Sequence, residues 1–71
     1  MANATFELED KVQYIEPAVR DIYHLSADDE RRQFGYDIIE IDEKRRQVKV
    51  IVNEELNRFA WWSFDAIEYV D

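Results

Sequence analysis

The chain has 71 residues with 17 acidic and 9 basic side chains, a formal charge of −8, no cysteine and a single glycine. That length holds one domain, and such a charge works against nucleic-acid backbones and anionic membranes, which are bound by basic surfaces. The absence of cysteine removes disulfides and thiolate metal sites, and a hydrophobic content of 46% argues against a disordered chain.

Residues 1–5 are expected to be a disordered end, and residues 6–71 the single domain. The stretch from Phe6 to Ile15 alternates apolar and polar side chains at Phe6, Leu8, Val12 and Tyr14, which predicts a half-buried strand turned or bulged at Asp10-Lys11. Pro17 ends it, because proline cannot donate to a strand ladder. Ser26-Ala27-Asp28-Asp29 has the helix-opening pattern of a serine followed by acids, Arg31 and Arg32 suit the far end, and Gly35 is the stop. One short helix is therefore expected over about residues 26–34. Residues 18–25 admit either a helical turn with Val19, Ile22 and Tyr23 on one face, or an irregular extended piece pairing Tyr23 with Leu25.

From Tyr36 onward the pattern is β. Tyr36-Asp37-Ile38-Ile39-Glu40-Ile41 is followed by the charged loop 42–46 and by Gln47-Val48-Lys49-Val50-Ile51-Val52, whose valines share an inward face. A turn over 53–57 carries two asparagines that tolerate left-handed backbone. The aromatic strand Arg58-Phe59-Ala60-Trp61-Trp62-Ser63-Phe64 comes next, then a tight turn at 65–67 and a last short strand, 68–70. A chain this short buries only about 60% of its unfolded surface, so large aromatic side chains must supply much of the core.

A long-looped first hairpin, two tighter hairpins, a one-turn helix and a closing strand form the layout of a small five-stranded β-barrel. Residues 48–70 resemble the Src-homology-3-like barrels of prokaryotic accessory proteins. The resemblance rests on Val48-Lys49-Val50-Ile51-Val52, a polar turn, and Trp62-Ser63-Phe64-Asp65-Ala66-Ile67-Glu68-Tyr69-Val70, where an aromatic strand runs into a Phe-Asp-x-Ile-Glu turn. It implies a mainly β, Src-homology-3-like barrel with the short helix in its long first loop, an architecture that often serves as a binding module. The chain departs from that pattern at 16–35, a partly helical insertion in place of a simple loop. The paired tyrosines and tryptophan of proline-recognising members have no counterpart here.

Adjacent residues on a strand face opposite sides, so Trp61 and Trp62 must diverge. Ala60, Trp62 and Phe64 form the more apolar, inward set; Phe59, Trp61 and Ser63 point outward. Either the 16–35 segment covers the outward pair with Val19, Ile22, Tyr23 and Leu25, the arrangement ranked first, or Phe59 and Trp61 are exposed interface anchors. Glu54, Glu55 and Asp65 complete the candidate partner-binding set, steering a protein partner with a basic surface. His24 is expected to be a packed or surface residue. Asp28-Asp29-Glu30 and Glu54-Glu55 lack the alternating ligands of a calcium loop, so no metal and no cofactor are expected.

No nucleophile elbow, glycine-rich cradle or cleft-forming pattern accompanies Ser26, Ser63 or His24, and the chain reads as a non-enzyme. The first functional expectation is an intracellular accessory module that binds protein, as a monomer or weak homodimer. The second is a nucleic-acid-mimicking inhibitor of a DNA- or RNA-binding protein, which needs its acids in phosphate-like rows. The third is a single-strand nucleic-acid binder using the outward aromatics with the basic hairpin 44–49; the net charge makes nucleic acid an unlikely ligand. Met1 to Thr5 lack a secretory pattern and the apolar runs are too short to cross a bilayer, so a cytoplasmic protein away from membranes is expected.

Overall fold

A computed structural model describes residues 6–70, and the expected disordered end at 1–5 lies outside the described residues. The chain forms β1 (Lys11–Tyr14), α1 (Pro17–Ser26), α2 (Asp29–Phe34), β2 (Tyr36–Asp42), β3 (Gln47–Asn53) and β4 (Arg58–Ser63). A 3-10 turn at Phe64–Ala66 leads to β5 (Ile67–Tyr69). Neighbouring strands run antiparallel in the order β4-β3-β2-β1-β5. The mainly β class is as expected. The expected barrel is not closed: among the described residues β4 and β5 remain the two edges of an open sheet.

The first strand is shorter than the expected 6–15. The chain turns at Leu8-Glu9 and not at Asp10-Lys11, with Glu9 at φ 73°. The Asp10 carboxylate stabilises this turn by accepting from the Glu7 N–H at 2.8 Å. Phe6 then packs its ring 5.6 Å from Phe64 and 5.1 Å from Tyr69. β2 carries a register shift between Ile38 and Glu40, leaving Ile39 as an extra residue. Such a bulge bends a strand. Ile38 before the bulge and Glu40–Asp42 after it pair with β3, while Tyr36 and Asp37 at the start of β2 pair with β1.

The short helix expected over about 26–34 is α2, beginning at Asp29, and residues 18–25, which admit a helical turn or an extended piece, are helical within α1. Pro17 occupies the first turn of α1, where its missing N–H is not needed. Residues 17–26 are therefore helical throughout, with Val19 and Tyr23 half-buried, one turn apart. Ser26 ends α1 instead of opening the next helix; its hydroxyl donates to the Tyr23 carbonyl at 3.3 Å. Asp28 caps α2, accepting from the Arg31 N–H at 2.9 Å. Gly35 follows at φ 103°, a conformation open to glycine alone, and a Cβ there would meet Val70 Cγ2 at 2.8 Å.

The core is Val12, Ala27, Tyr36, Ile38, Val48, Val50, Val52, Trp62 and Ile67. Val48, Val50 and Val52 point inward as the alternation required. Trp62 is 2% exposed and meets Tyr14, Tyr23 and Tyr36 edge-on at centroid distances of 5.4, 4.8 and 5.0 Å. Burial without a hydrogen-bond partner pushes the Tyr36 hydroxyl up to about 12.

Candidate interaction surface

The outward face of β4 is uncovered. Phe59 is 44% and Trp61 45% exposed. The lid expected from residues 16–35 exists, but it closes the opposite face. Tyr23 of α1 packs on Trp62, while Ile22 and Leu25, expected to cover the outward pair, are themselves exposed. The helices follow the larger apolar surface, and that surface is the valine and Trp62 side of the sheet.

Across the ladder Phe59 stands opposite Ile51, and Trp61 opposite Lys49. The Lys49 ammonium lies 5.0 Å over the Phe59 ring and 3.8 Å from the Glu40 carboxylate. The three candidate acids do not gather around these aromatics. Glu54 and Glu55 lie in the turn before β4, and Glu54 meets Arg31 at 3.2 Å. Asp65 lies beyond the far end of β4, where its N–H donates to Ser63 Oγ at 3.3 Å and its carboxylate pairs with Arg46 at 3.6 Å. The charges closest to the aromatic pair in the ladder are cations, Lys49 and Arg58.

The basic hairpin is largely neutralised from within. Arg45 pairs with Asp42, Arg46 with Asp65, and Lys49 with Glu40. His24 is half-buried with its ring stacked 6.0 Å from Tyr36, a packed residue as expected. Asp28 of the acidic run is a helix cap. Burial raises the affinity of its carboxyl for a proton, but the N–H groups of Glu54 and Arg31 and the charges of Arg31 and Arg32 outweigh that. The net pKa is lowered. Among the described residues no group of three or more histidine or acidic side chains is placed to hold a metal ion.

Two residues that sequence reasoning passed over shape this end of the molecule. Arg31 is buried, with Asp37 at 2.8 Å, Glu54 at 3.2 Å and Asp28 and Glu30 each at 3.5 Å. Arg58 opens β4 and lines an open groove of about 490 Å³ with Tyr23, Ser26, Val52, Asn57 and Phe59. The groove walls are stitched together by polar contacts. The Asp28 N–H donates to the Val52 carbonyl at 3.2 Å, the Glu54 N–H to Asp28 Oδ2 at 2.8 Å, and Asn53 Nδ2 to the Ser26 carbonyl at 3.0 Å. Asn57 adopts φ 53°, so one of the two turn asparagines takes the left-handed role; the other, Asn53, is buried and accepts from the Leu56 N–H.

Comparison with protein-family models, with curated proteins and with solved structures gives no match. Among the described residues no helix is long and apolar enough to cross a membrane.

Proposed function

We propose that this chain is a small, non-catalytic protein-interaction module that docks an intracellular partner through the outward face of β4. The observation that carries this reading is the exposure of Phe59 and Trp61 side by side on an edge strand, where the chain's own helices pack on the other face. Large exposed aromatics on a rigid ladder lose little side-chain entropy on binding, and tryptophan is enriched among the residues that dominate interface energies. A formal charge of −8 favours a partner whose overall surface is basic, with the attraction spread over the molecule and not held in a set beside Trp61.

We further read the architecture as a Src-homology-3-like barrel left open between β4 and β5. The strand order and the 3-10 turn leading into β5 support that reading. The test is capture of partners from host lysate by wild type and by Trp61→Ala, with circular dichroism on both. The proposal expects an unchanged fold and loss of one stoichiometric partner in the variant. Equal recovery by both proteins, or no specific partner for either, overturns it.

A further inference from the structure

Arg58 is an unusual charge for this molecule. Of the nine basic side chains, Lys11, Arg31, Arg32, Arg45, Arg46 and Lys49 have carboxylate partners, and Arg20 donates to the Tyr14 and Ile15 carbonyls. Lys44 sits in the exposed β2–β3 turn, where solvation is its ordinary state. Arg58 is exposed like Lys44, but it alone among the described cations without a carboxylate at ion-pair distance lines a groove. The other residues lining the groove are Tyr23, Val52 and Phe59, with Ser26 and Asn57 as polar members. The groove adjoins the edge strand β4, whose outer side is paired with no described strand.

These features specify different parts of one ligand. A guanidinium without an internal partner is complementary to a carboxylate, which it can hold by two parallel hydrogen bonds. The Tyr23 side of the groove accepts an apolar side chain. An unpaired strand edge is matched by an extended peptide backbone. An open groove encloses little of a small molecule's surface, so it suits a segment that also gains main-chain hydrogen bonds. We propose that an extended segment of the protein partner adds to the free edge of β4, with a carboxylate on Arg58 and an adjacent apolar side chain in the groove beside Tyr23. This rests on the interaction-module reading above and names the partner's local chemistry: a body with a basic surface overall, presenting one acid at this point. A second copy of the chain is disfavoured as the occupant, because two bodies of −8 each would have to meet.

The test is selection of a short-peptide phage library on the wild-type protein, followed by fluorescence anisotropy with the best synthetic peptide. The expected consensus carries an Asp or Glu next to, or one residue away from, a large apolar side chain. Arg58→Gln, checked for fold by circular dichroism, should weaken binding roughly tenfold to hundredfold, the scale of a lost hydrogen bond to a charged group. Replacing the peptide's acid by its amide should lose a similar factor in wild type and little more in Arg58→Gln. N-methylation of alternate peptide amides should abolish binding if the backbone pairs with β4. Absence of any enriched peptide, binding indifferent to Arg58→Gln, or a wild-type dimer held through β4 in sedimentation would each overturn the proposal. If lysate partners are lost with Trp61→Ala yet retained with Arg58→Gln, the groove is refuted while the outward-face reading stands.

Discussion

Arg31 offers the sharpest test of how this fold is held together. It is a 4% exposed cation surrounded by four carboxylates, which are not equivalent. Glu30 and Glu54 have side chains 60% and 71% exposed, so their pairs are screened and each is worth at most about 1 kcal/mol. Asp28 and Asp37 are only 16% and 19% exposed and draw most of their compensation from protein groups. Removing a buried partner from such a set strands the remaining charges, at about 3–5 kcal/mol. Asp37 keeps Lys11, and Asp28 keeps two backbone N–H donors, which places Arg31→Ala at the lower end, about 3 kcal/mol. A domain of this size has a total stability of roughly 4–10 kcal/mol, so the loss is a large fraction of it. Urea unfolding followed by tryptophan fluorescence should show a lower midpoint with unchanged slope. Arg31→Met, which retains most of the side-chain bulk, should be nearly as destabilised, and adding Asp37→Asn should restore part of the loss. A loss below about 1 kcal/mol for Arg31→Ala would refute the argument, because it would mean solvent already compensates Asp28 and Asp37.

The two tryptophans should separate by the same assay. Trp62→Ala removes a buried ring touching three tyrosines and is expected to lose about 3–5 kcal/mol, enough to leave much of the protein unfolded, whereas Trp61→Ala loses about 1 kcal/mol or less. Equal losses would contradict the assignment of faces. Tyr36 should ionise at about 12 by tyrosinate absorbance, because burial disfavours its phenolate. A phenol whose folded pKa lies above its ordinary value of 10.0 keeps its proton in the native state after the unfolded chain has lost it. Stability therefore falls as pH rises from about 10 to 12, by roughly 3 kcal/mol, and Tyr36→Phe should flatten that fall. Gly35→Ala combines a positive φ with a 2.8 Å approach to Val70 and should lower thermal stability by at least about 1–3 kcal/mol; an unchanged melting temperature would mean that the chain relaxes there freely.

What was legible in the sequence was whatever is set by a strand's own period. Val48, Val50 and Val52, and the divergence of Trp61 from Trp62, follow from alternation within a few residues, and those assignments hold. The face that receives the helices was not legible. Parity says that the tryptophans face opposite ways, yet which face α1 covers depends on contacts far apart in sequence, such as Tyr23 on Trp62. Residues 18–25 fit two templates at once, with Val19, Ile22 and Tyr23 at helical spacing and Tyr23 and Leu25 at strand spacing. Packing of Tyr23 on Trp62 decided between them. Arg31 gave no signal because its partners Asp37 and Glu54 stand 6 and 23 residues away. An Arg-Arg pair near a helix end reads as dipole compensation, and only Arg32, ion-paired with Asp29 on the surface, fits that description. The acids named as a steering set were grouped by chemical type along β4 and its turns. The fold instead uses Glu54 to hold α2 and Asp65 to hold the basic hairpin.

That use of Glu54 bears on function. The groove beside β4 is built by segments distant in sequence: the end of α1, the end of β3, and the turn that carries Asn57 and Arg58. Their relative placement is set by three hydrogen bonds around residues 26–28. Arg31 bears on them through Asp28, 3.5 Å away, whose carboxylate accepts the Glu54 N–H; its pair with the exposed Glu54 carboxylate adds little. α2 is only 6 residues long and would not be helical alone, so it acts as the peg through which Arg31 and Asp28 fasten that turn. A receptor edge fixed before its ligand arrives loses less entropy on binding than one ordered by the ligand. The buried charge network and the open groove are thus linked: loosening Arg31 should free Arg58 to wander. An Arg31→Met protein that remains folded in the cold should bind a β4-edge peptide more weakly than wild type, even though Arg31 does not line the groove.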